Sequence, residues 1–411
     1  MYFMILQYMW QFLRKSGEQM KKKKKINKYA RRRILLVVGV IAFILLIKGI
    51  IGIFLGKSPE EITLLLDNKL IEVKHEIISE NDTIYLSKDD IENLFDKTIY
   101  YNEAEKELIT TYNKHIALLK IDEDFMVLND SNAELKNPMI EKDKVVYLPF
   151  SEMGIVYDLE FEYSNENKRL IADSLSKEKK KAISLKDFKL KQKPGIFATK
   201  IEKIAHGEYV IIVEDTNKKY FKVRSSDGNI GYVKKKKISE PEVIRENWET
   251  EKTNVEVLKN ASDLSKNYSK VTLNKEKQNV VIPTFFYIEK EGQILDKTAS
   301  STDEYKAYMN WTKENNIQVW ATLENNIEVS NSLLTYTDRN KVINELYRKI
   351  VEYQFSGINI NFEKIDDVNS FNRFIIELTP RLKELGIKVS VTKSENVDKD
   401  KLSKIVDVIV E

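Results

Sequence analysis

The sequence contains no cysteine, which excludes disulfides and thiolate metal sites. Histidine is nearly as scarce. His75, His115 and His206 are its three copies, and their wide separation argues against a zinc site. An excess of one charge is also missing. Lys and Arg number 67 against 64 Asp and Glu, a formal net charge of +3, so there is no general electrostatic case for a nucleic-acid partner. Nothing in the composition calls for a metal or other cofactor. At 411 residues the chain is long for one domain, and two to four are expected.

The basic residues that are present concentrate early, at Lys21 to Lys25, Lys28 and Arg31 to Arg33. Ile34 to Gly56 follows, apolar except for Lys48. About 20 apolar residues span a bilayer core. Lys48 lies past the middle of the run, where its stem can carry the charge toward the interface. The positive charge before the span predicts a cytoplasmic segment 1–33, a transmembrane signal anchor 34–56 and the bulk of the chain outside a cell membrane. No small-residue cleavage pattern follows, so the anchor is expected to be retained. The residues before Met20 do not fit ahead of a signal anchor, and translation is expected to begin at Met20.

Residues 61–173 carry short alternating runs separated by brief helical pieces such as Ser87 to Asp96, whose Ser87, Asp89 and Asp90 suit a helix start. One arrangement, a strand followed by a short helix, occurs at Tyr85-Leu86 and again at Tyr147-Leu148. This pattern resembles the small α+β domain named after the N-terminal domain of copper amine oxidase. The resemblance implies a spacer, not copper or oxidase chemistry. Residues 174–181 read as a Lys/Ser/Glu linker. In 182–239, Phe221-Lys-Val-Arg, a turn at Ser226-Asp227-Gly228 and Gly231-Tyr232-Val233 resemble a bacterial SH3-type domain. That resemblance implies a small β-barrel that binds peptidoglycan peptides or packs on a neighbouring catalytic domain, with a passive spacer as the alternative. Lys234 to Lys237 read as a solvated charged face, with contact to an anionic wall polymer as the alternative.

From 241 to 411 the pattern becomes strand, helix, strand, helix, which predicts a parallel sheet with helices outside. Strands are expected at about Val243 to Trp248, Asn279 to Thr284, Ile317 to Leu323, Gly357 to Phe362, Ile387 to Val391 and Ile405 to Val410. The intervening helices are expected at Thr302 to Asn315, Arg339 to Tyr353 and Val368 to Leu385. The run Gly357 to Glu363 alternates, so Asn359, Asn361 and Glu363 share one face of a strand and Ile358, Ile360 and Phe362 the other. The acid falls at the strand's C-terminal end, where barrels of this kind place their chemistry.

Asn279-Val-Val-Ile-Pro-Thr-Phe-Phe-Tyr, Ile317-Gln-Val-Trp-Ala-Thr-Leu-Glu-Asn-Asn, Phe355-Ser-Gly-Ile-Asn-Ile-Asn-Phe-Glu and Phe374-Ile-Ile-Glu-Leu-Thr-Pro-Arg-Leu, in this order, resemble glycoside hydrolase family 18. The likeness is greatest to the branch of bacterial spore and cell-wall N-acetylglucosaminidases. It implies a (β/α)8 TIM barrel acting on N-acetylglucosamine-containing glycan such as peptidoglycan, spore cortex or chitin. The family's Asp-Gly-x-Asp-x-Asp-x-Glu falls on Ser356, Gly357, Asn359, Asn361 and Glu363. Glu363 takes the place of the general acid, and Asn361 that of the Asp that orients the substrate's acetamido group. Asn359, Tyr287 and Trp320 are the expected sugar-contacting residues. The amide at 361 is expected to lower activity by orders of magnitude, leaving hydrolysis or glycan binding without turnover as the two outcomes. Restoring Asp at 361 is expected to raise the rate if the rest of the site exists, and no change would point to a defective barrel. The sequence ends within the sixth expected strand, before the family's Met-x-Tyr-Asp segment, so an incomplete barrel with two raw strand edges is expected.

Overall fold

A computed structural model describes residues 61–411 apart from 196, 249–252, 299, 301, 326–331, 364, 395–396 and 398. The basic segment, Met20 and the 34–56 span lie outside the described residues. Among the described residues no helix is long and apolar enough to cross a membrane.

The first part is built from three small sheets around one apolar core containing Leu64, Leu86, Leu108 and Leu148. The two strand-then-helix repeats meet in it. Thr83–Ser87 pairs antiparallel with Val145–Leu148, so Leu86 faces Leu148. Ser87 caps the helix Lys88–Leu94 by accepting from the Asp90 N–H, as the sequence led one to expect. A five-stranded antiparallel meander runs from Tyr100–Asn102 to Ser131–Glu134.

Next comes a seven-stranded sheet around Leu190, Val210 and Val223. Its turn after Ser225 places Gly228 at φ +76°, against Arg169 of the first part. Arg169 donates to the Gly228 carbonyl at 2.7 Å. Two expectations change here. Residues 179–181 are not linker: Lys179–Ile183 is a strand between Tyr209–Asn217 and Glu242–Arg245. The run from Val243, expected to open the parallel sheet, is instead this sheet's antiparallel edge, with Val243 and Ile244 well exposed. A short β-branched run has the same local pattern in either sheet, and only its partner decides between them. Nor are the lysines after Tyr232 merely solvated. The Lys235 ammonium lies 4.4 Å from the centroid of the Phe221 ring.

A buried ion cluster joins these two parts. Arg224 is 1% exposed and grips both oxygens of Asp173 at 2.6 Å, and Lys179 adds a 2.9 Å contact. Burial alone would push the Asp173 carboxyl up. The Arg224 and Lys179 bonds outweigh it and hold the carboxyl below its ordinary value. Folding therefore binds this proton less tightly than the unfolded chain does. The resulting stability is present above about pH 4 and is lost as pH falls through the lower folded value. Arg224→Ala is expected to cost about 2 kcal/mol, since Lys179 still pairs Asp173, and to flatten the acid limb of a pH–Tm curve. An unchanged acid limb would show that Asp173 does not carry this linkage.

The C-terminal part is a sheet of parallel strands in sequence order: Val255–Val257, Gln278–Val281, Gln318–Asn325, Gly357–Phe362, Lys388–Thr392 and Val408–Val410. Thr284–Ile288 continues the second strand beyond Pro283 and pairs with the third. The helices Asp303–Glu314, Tyr336–Glu352 and Val368–Glu384 cover one face. The middle helix begins before the expected Arg339, because Thr335 and Asp338 form a capping box. On the covered face lie Val319, Leu323, Ile358, Ile360, Val389 and Val391. The other face carries Trp320, Thr322, Glu324, Gly357, Asn359 and Asn361, as the register requires.

The two edges of this sheet are not splayed. Thr253, ahead of the first strand, donates to Asp407, ahead of the last, at 3.1 Å. At the other end Lys259 donates to the Glu411 carbonyl. Among the described residues no backbone ladder joins these edge strands. The strands thus curve into a nearly closed ring bridged by side chains, and its two strand edges stay unpaired, as expected. Sheet coiling brings the ends round.

The Val368–Glu384 helix is buried almost all round, including Phe371, Phe374, Ile376 and Leu378. The sheet takes one side. The five-stranded meander region takes the other, with Arg373 donating to the Thr98 carbonyl at 2.6 Å and Arg381 reaching Asp130 at 2.9 Å.

Candidate active site

The C-terminal ends of the parallel strands collect the candidate residues. Register places Glu324 beside Asn361 and Tyr287 beside Glu324. The third strand runs to Asn325, past the expected Leu323, and this extension brings two side chains into the site. Asn325 accepts the Glu363 backbone N–H at 2.8 Å, fixing the chain where the acid leaves the strand. The Glu363 side chain is exposed, and its carboxylate pairs with no described residue.

Glu324 holds the centre. One of its oxygens, Oε1, accepts from Thr284 Oγ1 at 3.0 Å and from Asn361 Nδ2 at 3.0 Å. The Tyr287 hydroxyl also bonds this carboxylate, and burial, the Glu324 charge and bond, and then the Glu363 charge push that hydroxyl above its ordinary value. Tyr287 therefore stays a donor at neutral pH. Lys297 lies 4.8 Å from its ring centroid.

Asn359 lies one layer deeper, 1% exposed. It donates to Thr392 at 3.0 Å and to Thr322 at 3.3 Å, and accepts from Ser390 at 2.9 Å. Its amide is committed to tying three strands together. Trp320 is deeper still, fully buried, with its indole N–H donated to Gln318 at 3.1 Å. The structure thus unites Glu363, Asn361 and Tyr287 at the rim and puts Asn359 and Trp320 beneath as its floor. Trp320 and Asn359 present no surface on which a sugar could rest.

Gly357 makes room for that floor. A Cβ at 357 would sit 2.5 Å from Trp320 Cγ, in a ring with nowhere to move. Gly357→Ala is expected to destabilise by about 1–3 kcal/mol, as overpacking does. A urea midpoint unchanged from wild type would show that the indole yields.

Glu324 and Asn325 were not singled out in the sequence. The signal was there in part: Gln318, Trp320, Thr322 and Glu324 alternate just as Asn359, Asn361 and Glu363 do. What no pattern supplied was the strand's end and its register against Gly357–Phe362.

Residues 65–172 match the family described as Copper amine oxidase N-terminal domain. No curated protein matches the chain. Solved structures similar to it include a class V chitinase from Pseudomonas fluorescens Pf-5, with 16% identity, 32% of this chain and 45% of that one covered, and a TM-score of 0.29. A Group IV chitinase of Ostrinia furnacalis gives 18%, 39%, 50% and 0.30. The spore cortex-lytic enzyme of Bacillus megaterium QM B1551 gives 15%, 41%, 44% and 0.28. The chain spans about half the length of these structures.

Proposed function

We propose that the open end of the parallel-strand part takes a chain of N-acetylglucosamine-containing glycan, such as peptidoglycan, spore cortex or chitin, and cleaves it with Glu363 as acid and base. The observation that carries this is the rim itself. A carboxylate without a described partner stands at a strand's C-terminal end, one side-chain step from the Asn361 amide and the Tyr287–Glu324 pair. The family 18 motif around Glu363 supports the same reading.

In the proposed step Glu363 gives its proton to the glycosidic oxygen as that bond breaks. The sugar's own acetamido oxygen attacks the anomeric carbon, so the protein needs no nucleophile. Water then opens the oxazolinium ion, and Glu363 takes the proton back. Glycan binding with little turnover is the second reading. Asn361 favours it, because an amide brings no charge of its own to the developing cation.

The remaining features fit a cell-surface setting. The 34–56 run would hold the protein at the membrane, and the SH3-like sheet would pack beside the catalytic part or meet wall peptides. Protease shaving of intact cells tests that placement, and a fully protected chain would overturn it.

The function is tested with the full chain and an N-acetylchitooligosaccharide bearing a chromogenic leaving group, with calorimetry in parallel. Release of the group supports hydrolysis. Heat of binding without release supports the second reading. Neither signal would remove both.

A further inference from the structure

We infer that Glu324 is a positioning residue for Asn361, and that the two together form one charged acceptor for the sugar's acetamido N–H, divided between neighbouring strands. This inference rests on the glycan reading above.

A carboxylate only accepts hydrogen bonds. The 3.0 Å contact with Glu324 therefore fixes which end of the Asn361 amide faces it: Nδ2 toward the carboxylate, Oδ1 away. Among the described residues nothing donates to that Oδ1. The group offered at 361 is an acceptor, as an aspartate's oxygen would be, and a neutral amide gains negative charge behind it. Glu324 can serve this role because it is itself held. Thr284 donates to the same oxygen at 3.0 Å, and Tyr287 donates from the adjoining strand. Three donors from two flanking strands leave the carboxylate little freedom to swing away. A bond to an ionised acceptor is also stronger than a neutral one.

The geometry also alters an expectation from the sequence. Asn361→Asp alone was expected to raise the rate. With Glu324 in contact, that change sets two carboxylates face to face and removes the donor between them. The single substitution is now expected to bring no gain. The exchange Glu324→Gln with Asn361→Asp keeps one carboxylate and one amide and reverses their direction, with Gln donating to Asp.

The test measures hydrolysis and calorimetric affinity for an N-acetylchitooligosaccharide in the full chain, with thermal unfolding of each variant. Glu324→Gln is expected to lower kcat/KM by roughly 10- to 100-fold, and Asn361→Asp to lower it or leave it flat. The double exchange is expected to return within about tenfold of wild type. A brace that merely held the strands together would not be restored by reversing the pair. A double variant no better than the poorer single, or a Glu324→Gln protein equal to wild type, would overturn the inference while leaving the glycan reading intact. A wild-type chain that neither binds nor cleaves would remove the glycan reading first and this inference with it. If Glu324→Gln does not fold, the exchange is compared directly with wild type. Folded and within tenfold, it supports the divided acceptor; folded without binding, it overturns it.

Discussion

Glu363→Gln is expected to lower glycan hydrolysis by roughly 10²- to 10⁴-fold, the range lost when a positioned acid–base group is removed. Gln keeps the size and the hydrogen-bonding reach of Glu but has no proton to give the leaving oxygen. The residue's backbone is tied to Asn325 at 2.8 Å, so the change leaves the local chain in place. The side chain is exposed and pairs with no described residue, so stability is expected to stay within about 0.5 kcal/mol. Affinity for the oligosaccharide should survive, which separates loss of chemistry from loss of the site. The measurement is single-turnover release of the chromogenic group beside calorimetry on the same preparations. Equal release by the two proteins would remove Glu363 from the reaction.

The second large effect concerns stability. Glu377 is fully buried in the Val368–Glu384 helix. It accepts from Arg339 Nε at 2.7 Å and Nη2 at 2.9 Å, and from Arg373 at 3.0 Å. Arg339 is itself 3% exposed, with Nη1 donating to the carbonyls of Leu333 and Leu334. Glu377→Ala would strand one buried guanidinium and weaken a second. The expected cost is about 3–5 kcal/mol, the range for breaking one side of a buried pair. The effect should extend past the parallel sheet, because Arg373 also holds the Thr98 carbonyl of the first part. Replacing both partners, Arg339→Met with Glu377→Leu, is expected to restore most of the loss, since no buried charge is then left alone. Urea unfolding of the two variants decides the matter. A single variant as stable as wild type would mean that water already reaches the triad.

Much of the architecture was legible because it is local. Period-2 runs and helical segments gave the strand–helix alternation of the C-terminal part, and the Thr335–Asp338 cap could have been read from spacing alone. The row Asn359, Asn361, Glu363 followed from alternation. Other features could not be read this way. The run from Val243 looks like a strand wherever it pairs, and its partner, Lys179–Ile183, is distant in sequence. Trp320 was expected to contact sugar, yet the absent side chain at Gly357, on the next strand, leaves room for its indole in the floor.

The sequence by itself determined the strand–helix alternation of the C-terminal part and the shared strand face of Asn359 and Asn361, because these depend on periodicity. Tertiary structure decided the site's charge and depth. Glu324 lies well before Asn361 in the chain and meets it only through parallel register, and a slip of one residue would turn it to the helix-covered face. Only the curvature of the assembled sheet could bring Thr253, ahead of the first strand, to Asp407, ahead of the last.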